Sequence, residues 1–246
     1  MKPVIVAHRG HAREFPENTR PAFESALGLG APFIELDVQF SRDGVPVCLH
    51  DADLARVSGR PVSVLDSDWA RLAECPVGEP ARFGRRFESV RPMRLDALPE
   101  LLAAHPAARA FVELKDESIA AFGLDACLAG IGAALGSVAT RCWLIGYDAA
   151  VAAAARDAGF AGAGWVLSAW DDAHRQRAQA LAPDFLFVNH RRLPPEPAPL
   201  WPGRWQWVSY EIDSLALARA LMARGIRHLE TMAVGALMEG LADASG

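Results

Sequence analysis

Short β-branched and aromatic runs alternate along the chain with alanine- and leucine-rich stretches. The apolar runs predict strands at Val4–His8, Phe33–Phe40, Ala110–Lys115, Arg141–Ile145, Gly162–Leu167, Phe185–Asn189, Gln206–Glu211 and His228–Thr231. Between them, the stretches near Thr19–Leu29, Leu95–Ala104, Ile119–Leu135, Ala149–Ala158, Asp171–Leu181, Ser214–Arg224 and Val234–Leu241 predict helices. Strand followed by helix, about eight times over, predicts an α/β fold with a parallel sheet. Eight units in 246 residues favour a closed TIM (β/α)8 barrel over an open doubly wound sheet. No GxGxxG follows a strand and no GxxxxGK[ST] occurs, so nucleotide-fold fingerprints are absent.

Two stretches depart from a plain barrel. Ser41-Arg42-Asp43-Gly44 sits between strand-like runs and reads as a hairpin turn returning the chain through Val45–Leu49 to His50. From Asp51 to about Arg94 the chain is loop-rich, with one helical patch near Asp68–Glu74, and is expected to be a small insertion after strand two. Residues 1–246 are otherwise expected to form one barrel domain. Leu193–Pro202 holds five prolines and predicts a stiff loop in place of a regular sixth helix.

The informative anomaly lies on strand two. Side chains alternate faces along a strand, so Glu35, Asp37 and Gln39 share one face and Ile34, Leu36 and Val38 the other. The apolar set packs on the outer helices, which turns the carboxylates inward near the strand's C-terminal end, where barrel active sites sit. Strand three repeats the pattern, with Glu113 and Lys115 opposite Val112 and Leu114. Three converging carboxylates repel unless a cation intervenes or some are protonated. Oxygen-only ligation suits a hard divalent ion, Mg²⁺ or Ca²⁺, better than zinc. The plainer alternative is a set of solvated strand ends, with Glu113 paired locally to Lys115.

His8 ends strand one and His50 follows the hairpin. Imidazole titrates near neutrality, so one can act as general base and the other as general acid. Arg9 adds a fixed cation with a fork suited to phosphate oxygens, and Lys115 adds a second. Lys115 stands out because it and Lys2 are the only lysines among 25 basic residues. Together these groups describe phosphoryl chemistry rather than a nucleophilic triad or hydride transfer. His11 is read as a rim residue, His190 as an outside candidate, and His105, His174 and His228 as structural. Trp201, Trp205 and Trp207 are read first as core packing and second as a pocket wall.

Composition narrows the picture further. Hydrophobic residues make up 51% and charged residues 22% of the chain, a globular profile that excludes disorder, collagen and a disulfide scaffold. The net charge of −5 argues against a sequence-independent nucleic-acid partner. Cys48, Cys75, Cys127 and Cys142 show no metal-ligand spacing. No apolar run reaches about 18 residues, so no membrane span is expected. His8-Arg9 interrupts the short N-terminal apolar run, and no secretory signal is read. The expected compartment is a reducing cytoplasm.

The chain resembles the glycerophosphodiester phosphodiesterase family. The resemblance rests on His8-Arg9-Gly10, then Pro16-Glu17-Asn18-Thr19 and Ala22-Phe23, then Gly30 and Ile34-Glu35-Leu36-Asp37-Val38-Gln39. It continues through Ser41-Arg42-Asp43-Gly44-Val45-Pro46-Val47 to His50-Asp51. Glu113-Leu114-Lys115 looks like the family's acidic-apolar-lysine strand, and Val188–Leu193 is similar to the segment after strand six in bacterial cytoplasmic members. The resemblance implies a TIM barrel that hydrolyses glycerophosphodiesters to sn-glycerol 3-phosphate and an alcohol. It implies one divalent cation on Glu35, Asp37 and Glu113, acid-base work by His8 and His50, and substrate contacts from Arg9, Lys115 and Tyr210. Asn18 is expected to hold the first loop and cap the first helix. Tyr210-Glu211-Ile212-Asp213 departs from the family's Trp-Thr-Val-Asn, and Glu230-Thr231-Met232 from its Thr-Asp ending. A lipid-directed phospholipase-type barrel and a non-catalytic phosphometabolite-binding barrel are the rival readings. The alcohol, the metal and the oligomeric state stay open.

Overall fold

The computed structural model describes residues 3–242, so Lys2 lies outside the described residues. Ten strands follow one another: β1 (Val4–Ala7), β2 (Phe33–Phe40), β3 (Pro46–Cys48), β4 (Met93–Arg94), β5 (Arg109–Leu114), β6 (Cys142–Gly146), β7 (Gly162–Val166), β8 (Phe185–Asn189), β9 (Gln206–Tyr210) and β10 (His228–Thr231). β1, β2 and β5 to β10 pair in parallel, each with its neighbour, and β1 pairs with both β2 and β10. Eight parallel strands therefore close on themselves, as the alternating pattern predicts. All eight predicted strands lie within a residue or two of the observed ones.

The alternation along each strand separates two cores. Val6, Phe33, Phe111, Ile145, Val166, Phe185, Phe187 and Val208 fill the barrel interior. Ile5, Ile34, Leu36, Val38, Val112, Leu144, Leu186 and Leu229 face the surrounding helices. Phe33 stacks on Phe111 at 4.7 Å between centroids, and Phe187 meets Phe111 edge-on at 5.0 Å. Gly164 makes that packing possible, since a Cβ there would lie 2.8 Å from Ile145 and 2.9 Å from Phe187. This aromatic plug closes the barrel below the site.

β2 is longer than its neighbours because it does two jobs. Phe33–Val38 pairs with β5, while Val38–Phe40 pairs antiparallel with β3 through the turn at Ser41–Gly44. The Leu49 amide then donates to the Asp37 carbonyl at 3.0 Å, which delivers His50 to the barrel mouth. Between β3 and the helix Leu98–Ala104, the chain forms three one-turn helices, at Ala55–Ser58, Trp69–Leu72 and Pro80–Phe83, before β4 returns to β3. The sequence predicts only the second of these, because four-residue turns carry no helical period. Leu54, Val57, Val64, Leu72 and Val77 pack with Val47 and Leu49 beneath them.

The predicted helix Ile119–Leu135 is two helices, Asp116–Phe122 and Leu124–Leu135, broken at Gly123. No helix forms between β8 and β9 beyond a 3₁₀ turn at His190–Arg192, in keeping with the prolines that follow. Trp205 and Trp207 belong to the outer core, and Trp201 packs against it, stacking on Trp170 at 4.0 Å. Packing is the use they show among the described residues. No single helix among the described residues is long and apolar enough to cross a membrane.

Candidate active site

The C-terminal ends of β1, β2, β5 and β10 bring the predicted polar residues to one place. Register explains why: Val6 pairs with Phe33 of β2 and with Glu230 of β10, and Asp37 pairs with Glu113 of β5. His8, Arg9, His50, Glu113, Lys115 and Tyr210 line one cavity of about 480 Å³, joined by Tyr147, Glu211 and Glu230. Glu35 and Asp37 lie beneath it, each 1% exposed.

Asp37 is the most heavily bonded of the carboxylates. Lys115 Nζ lies 2.5 Å from its Oδ1, Arg9 Nε 3.1 Å from its Oδ2, and Asn18 Nδ2 donates to Oδ2 at 2.8 Å. The Asp37 amide donates back to Asn18 Oδ1 at 3.1 Å. Burial opposes ionisation, but Arg9 and Lys115 outweigh it and hold this carboxyl far below the usual range. Asn18 thus grips β2 rather than capping the first helix, whose N-cap, Thr19, makes no side-chain cap bond. Arg9 and Asn18 both adopt left-handed backbone, φ 55° and 56°. Held this way, the Arg9 amide donates to Glu35 Oε2 at 3.0 Å.

The remaining carboxylates behave differently. Lys115 also reaches Glu113 Oε1 at 2.5 Å, yet burial raises the Glu113 carboxyl. Glu35 is pushed well up by burial, with Asp37, Glu230 and Glu113 adding repulsion. Oxygens of Glu35, Asp37 and Glu113 lie within 4.8 Å of one another. Glu35 Oε1 meets no hydrogen-bond partner among the described residues. Three buried oxygens, one with free lone pairs, fit the hard divalent cation expected for them.

His8 is buried, and desolvation with Arg9 nearby lowers its pKa well below the usual value, so the ring is neutral. His50 sits at the rim, its Nδ1 2.6 Å from Asp51 Oδ1. Asp51 Oδ2 accepts from Arg56 Nε at 2.8 Å. Arg56 in turn donates twice to Glu17, at 2.8 and 2.7 Å, and Glu17 accepts from Arg9 at 2.9 Å. A chain of ion pairs therefore runs from Asp51, beside His50, to Asp37 on β2. Tyr210 lines the cavity with its hydroxyl 3.0 Å from that of Tyr147 and accepting from Arg192 at 3.3 Å. A second hollow of about 740 Å³ shares His8 and Glu211 with the first, and Arg13, Arg191, Ile212 and Met232 border it.

Residues 8–122 match the model of the glycerophosphoryl diester phosphodiesterase family. Over that stretch, 115 of its 246 residues, the chain is similar to this family. It is 37% identical over 102 residues to the glycerophosphodiester phosphodiesterase of Caldanaerobacter subterraneus subsp. tengcongensis, covering 42% of this chain and 41% of that one. The glycerophosphodiester phosphodiesterase of Bacillus altitudinis is 52% identical over 54 residues, 22% of each chain. The match therefore spans about two fifths, or less, of these relatives' length. An Oleispira antarctica phosphodiesterase, solved in complex with the product sn-glycerol-3-phosphate, superposes with TM-score 0.82 at 19% identity, covering 98% of this chain and 97% of that one. The Agrobacterium tumefaciens glycerophosphodiester phosphodiesterase superposes with TM-score 0.72 at 23% identity, covering 96% and 99%. These structures share the fold of this chain along nearly its whole length.

Several residues in the barrel mouth have no role assigned from the sequence. Glu230 Oε1 lies 3.3 Å from His8 Nε2, and both are buried. The only signal was parity, because Glu230 and His228 share the inward face of β10. Glu17, Asp51 and Arg56 link the two histidine-bearing segments, but nothing periodic marks them. Of the outlying histidines, His11 bonds Ser25, His174 bonds Ser168 and Asp171, and His228 packs on Phe33 and Phe185. His190 borders neither cavity.

Proposed function

We propose that the chain hydrolyses glycerophosphodiesters to sn-glycerol 3-phosphate and an alcohol, using one divalent cation, Mg²⁺ or Ca²⁺, on Glu35, Asp37 and Glu113. The observation that supports this reading best is the meeting of that carboxylate set with His8, His50, Arg9 and Lys115 around one cavity. The product bound to the Oleispira antarctica phosphodiesterase gives the same direction.

A cation so placed supplies Lewis acidity and orients the phosphoryl group and glycerol hydroxyls. His8, kept neutral by burial, is suited to accept a proton from the glycerol 2-hydroxyl as it attacks phosphorus and the alcohol leaves, giving a cyclic phosphate that water then opens to glycerol 3-phosphate. His50, oriented through Nδ1 by Asp51, is left with Nε2 for the leaving alcohol. Lys115 and Arg9 offset negative charge on the phosphoryl oxygens, while their pairing with Asp37 keeps both in place. Tyr210 and Tyr147 bound the cavity on the far side. The hollow beside Arg13 and Met232 offers room for the alcohol. A lipid-directed reading calls for exposed apolar surface, and the exposed large hydrophobics among the described residues are Leu29 and Tyr147. The four free, buried thiols suit the cytoplasm.

The test is release of glycerol 3-phosphate from glycerophosphocholine and glycerophosphoethanolamine with Mg²⁺ or Ca²⁺, and again in excess EDTA. Release should require metal and should fall about 10²–10⁴-fold in His8→Ala and in His50→Ala. Full turnover in EDTA overturns the metal role. Near-native rates in both variants overturn the acid-base assignment, and binding without turnover leaves a non-catalytic barrel.

A further inference from the structure

We infer that the barrel carries a second, metal-independent hydrolytic site, in which Ser168 is the nucleophile, His174 its base and Asp171 the group that orients the base, acting on a carboxylic ester with a small acyl group. The site lies outside the phosphodiester cavity and does not depend on the function proposed for it.

Ser168 stands two residues beyond β7, at the C-terminal face of the barrel where active sites gather. Its Oγ lies 3.0 Å from His174 Nε2, and His174 Nδ1 lies 2.8 Å from Asp171 Oδ1. The His174 amide and ring hold the Asp171 carboxyl below the usual range, so at neutral pH it is ionised and can only accept. His174 therefore carries its proton on Nδ1, and the Nε2 lone pair faces the Ser168 hydroxyl. The ring has little freedom to turn, because it lies flat on Trp165, 6° from parallel with centroids 5.6 Å apart. Trp165 is itself 3% exposed and donates from Nε1 to the Tyr147 carbonyl at 2.9 Å. Asp171 also caps the helix Asp172–Leu181, accepting from the His174 amide at 2.8 Å. A cap alone needs neither the ring contact nor a hydroxyl at the far nitrogen.

Tyr147, Trp165, Ser168, His174 and Arg177 border a hollow of about 660 Å³, and Tyr147 also lines the phosphodiester cavity next to it. Arg177 follows His174 by three residues on the same helix face and meets no partner among the described residues. Its guanidinium is free to offset charge on the carbonyl oxygen. Ser168 Oγ attacks the carbonyl carbon as His174 Nε2 takes the hydroxyl proton. The C–O bond to the alcohol then breaks, and the proton leaves with the alcohol. Water, deprotonated by His174, opens the acyl-serine to a carboxylic acid and restores Ser168. Ser168 is exposed and the Asp171 side chain 51% exposed, so solvent screens the charges and turnover is expected to be slow.

The experiment follows p-nitrophenyl acetate hydrolysis by the full chain in excess EDTA, and maps the adduct of an alkyl fluorophosphonate by peptide mass spectrometry. Hydrolysis with the label on Ser168 is expected. Ser168→Ala should lose that label and slow hydrolysis by about 10²-fold or more. Asp171→Asn keeps the cap, since the two residue types cap equally well, but its amide sets the ring in the wrong tautomer. Its Tm should stay within about 3 °C of wild type while hydrolysis falls as in Ser168→Ala. No label on Ser168, or a Ser168→Ala protein that hydrolyses the ester at the wild-type rate, overturns the proposal. So does an Asp171→Asn protein as fast as wild type. Diester turnover with Mg²⁺ is measured apart, and its failure bears on the phosphodiester reading alone.

Discussion

Glu17→Gln tests whether the ion-pair chain between Asp51 and Asp37 is structural cement. The Glu17 carboxylate, 4% exposed, accepts from Arg9 at 2.9 Å and twice from Arg56, at 2.8 and 2.7 Å. A hydrogen bond to a charged group contributes about 1.5–3 kcal/mol, more if its loss strands a buried charge. Arg9 is largely buried, so its bond counts in full. The Arg56 side chain is 44% exposed, so its pair counts at little more than the roughly 1 kcal/mol of a surface bridge. The glutamine variant should therefore lose about 3 kcal/mol, or roughly 6–12 °C in Tm at this chain length. Urea melts are the assay, because guanidinium would screen the pairs being measured. Burial raises the Glu17 carboxyl, but Arg56 and Arg9 outweigh it and lower its pKa in the fold. Its stabilisation is therefore complete above its unfolded pKa, near 4.3, and is lost as pH falls through the depressed folded value. The gap between wild type and variant should narrow in acid. A double-mutant cycle with Arg56→Gln should return a coupling of about 1–2 kcal/mol. A variant within about 0.5 kcal/mol of wild type at pH 7, or a cycle that closes at zero, refutes the reasoning.

Two further outcomes follow from burial. Desolvation lowers His228 to a pKa of about 4, so it stays neutral in the fold while the unfolded ring protonates near 6.5. That stability is full above about pH 6.5 and shrinks by about 3 kcal/mol as pH falls to 4. His228→Gln should flatten the slope of urea stability against pH in that window, and an unchanged slope rejects the assignment. Gly10 sits at φ +82° with its would-be Cβ 2.7 Å from the Ala22 carbonyl carbon, a backbone atom that cannot step aside. Gly10→Ala should cost about 3 kcal/mol or more and displace Arg9, read as a lower Tm and weaker turnover. A Tm unchanged within about 2 °C counts against that close approach.

How much could be read in the sequence follows from where the information lies. Glu35, Asp37 and Gln39 on alternate positions of an apolar strand announce an inward polar face locally, and Glu113 repeats it. Register then does the rest, setting Asp37 beside Glu113. Glu230 was missed because one acid in a four-residue strand reads equally well as a solvated end. Only the pairing of β10 with β1 turns it toward His8. Arg56 and Glu17 are 39 residues apart and meet across two irregular segments, where no period exists to betray a partner. Asn18 shows the opposite error. Its type suits a helix cap, but β2 passes close enough for its amide to hold both the backbone and the carboxylate of Asp37.

The seam where β1 meets β10 sets an order of events. Val4 and His228 are joined there across nearly the whole chain, a ring closure that costs about 5 kcal/mol of chain entropy before any contact rewards it. A ribosome-bound chain that has already emerged through Glu113 carries most of the carboxylates, yet His8 still lacks its wall. Long-range pairings of this kind form slowly. The wall beside His8 is therefore built by the pairing of greatest sequence separation in the barrel, and it stands or falls with the shut ring.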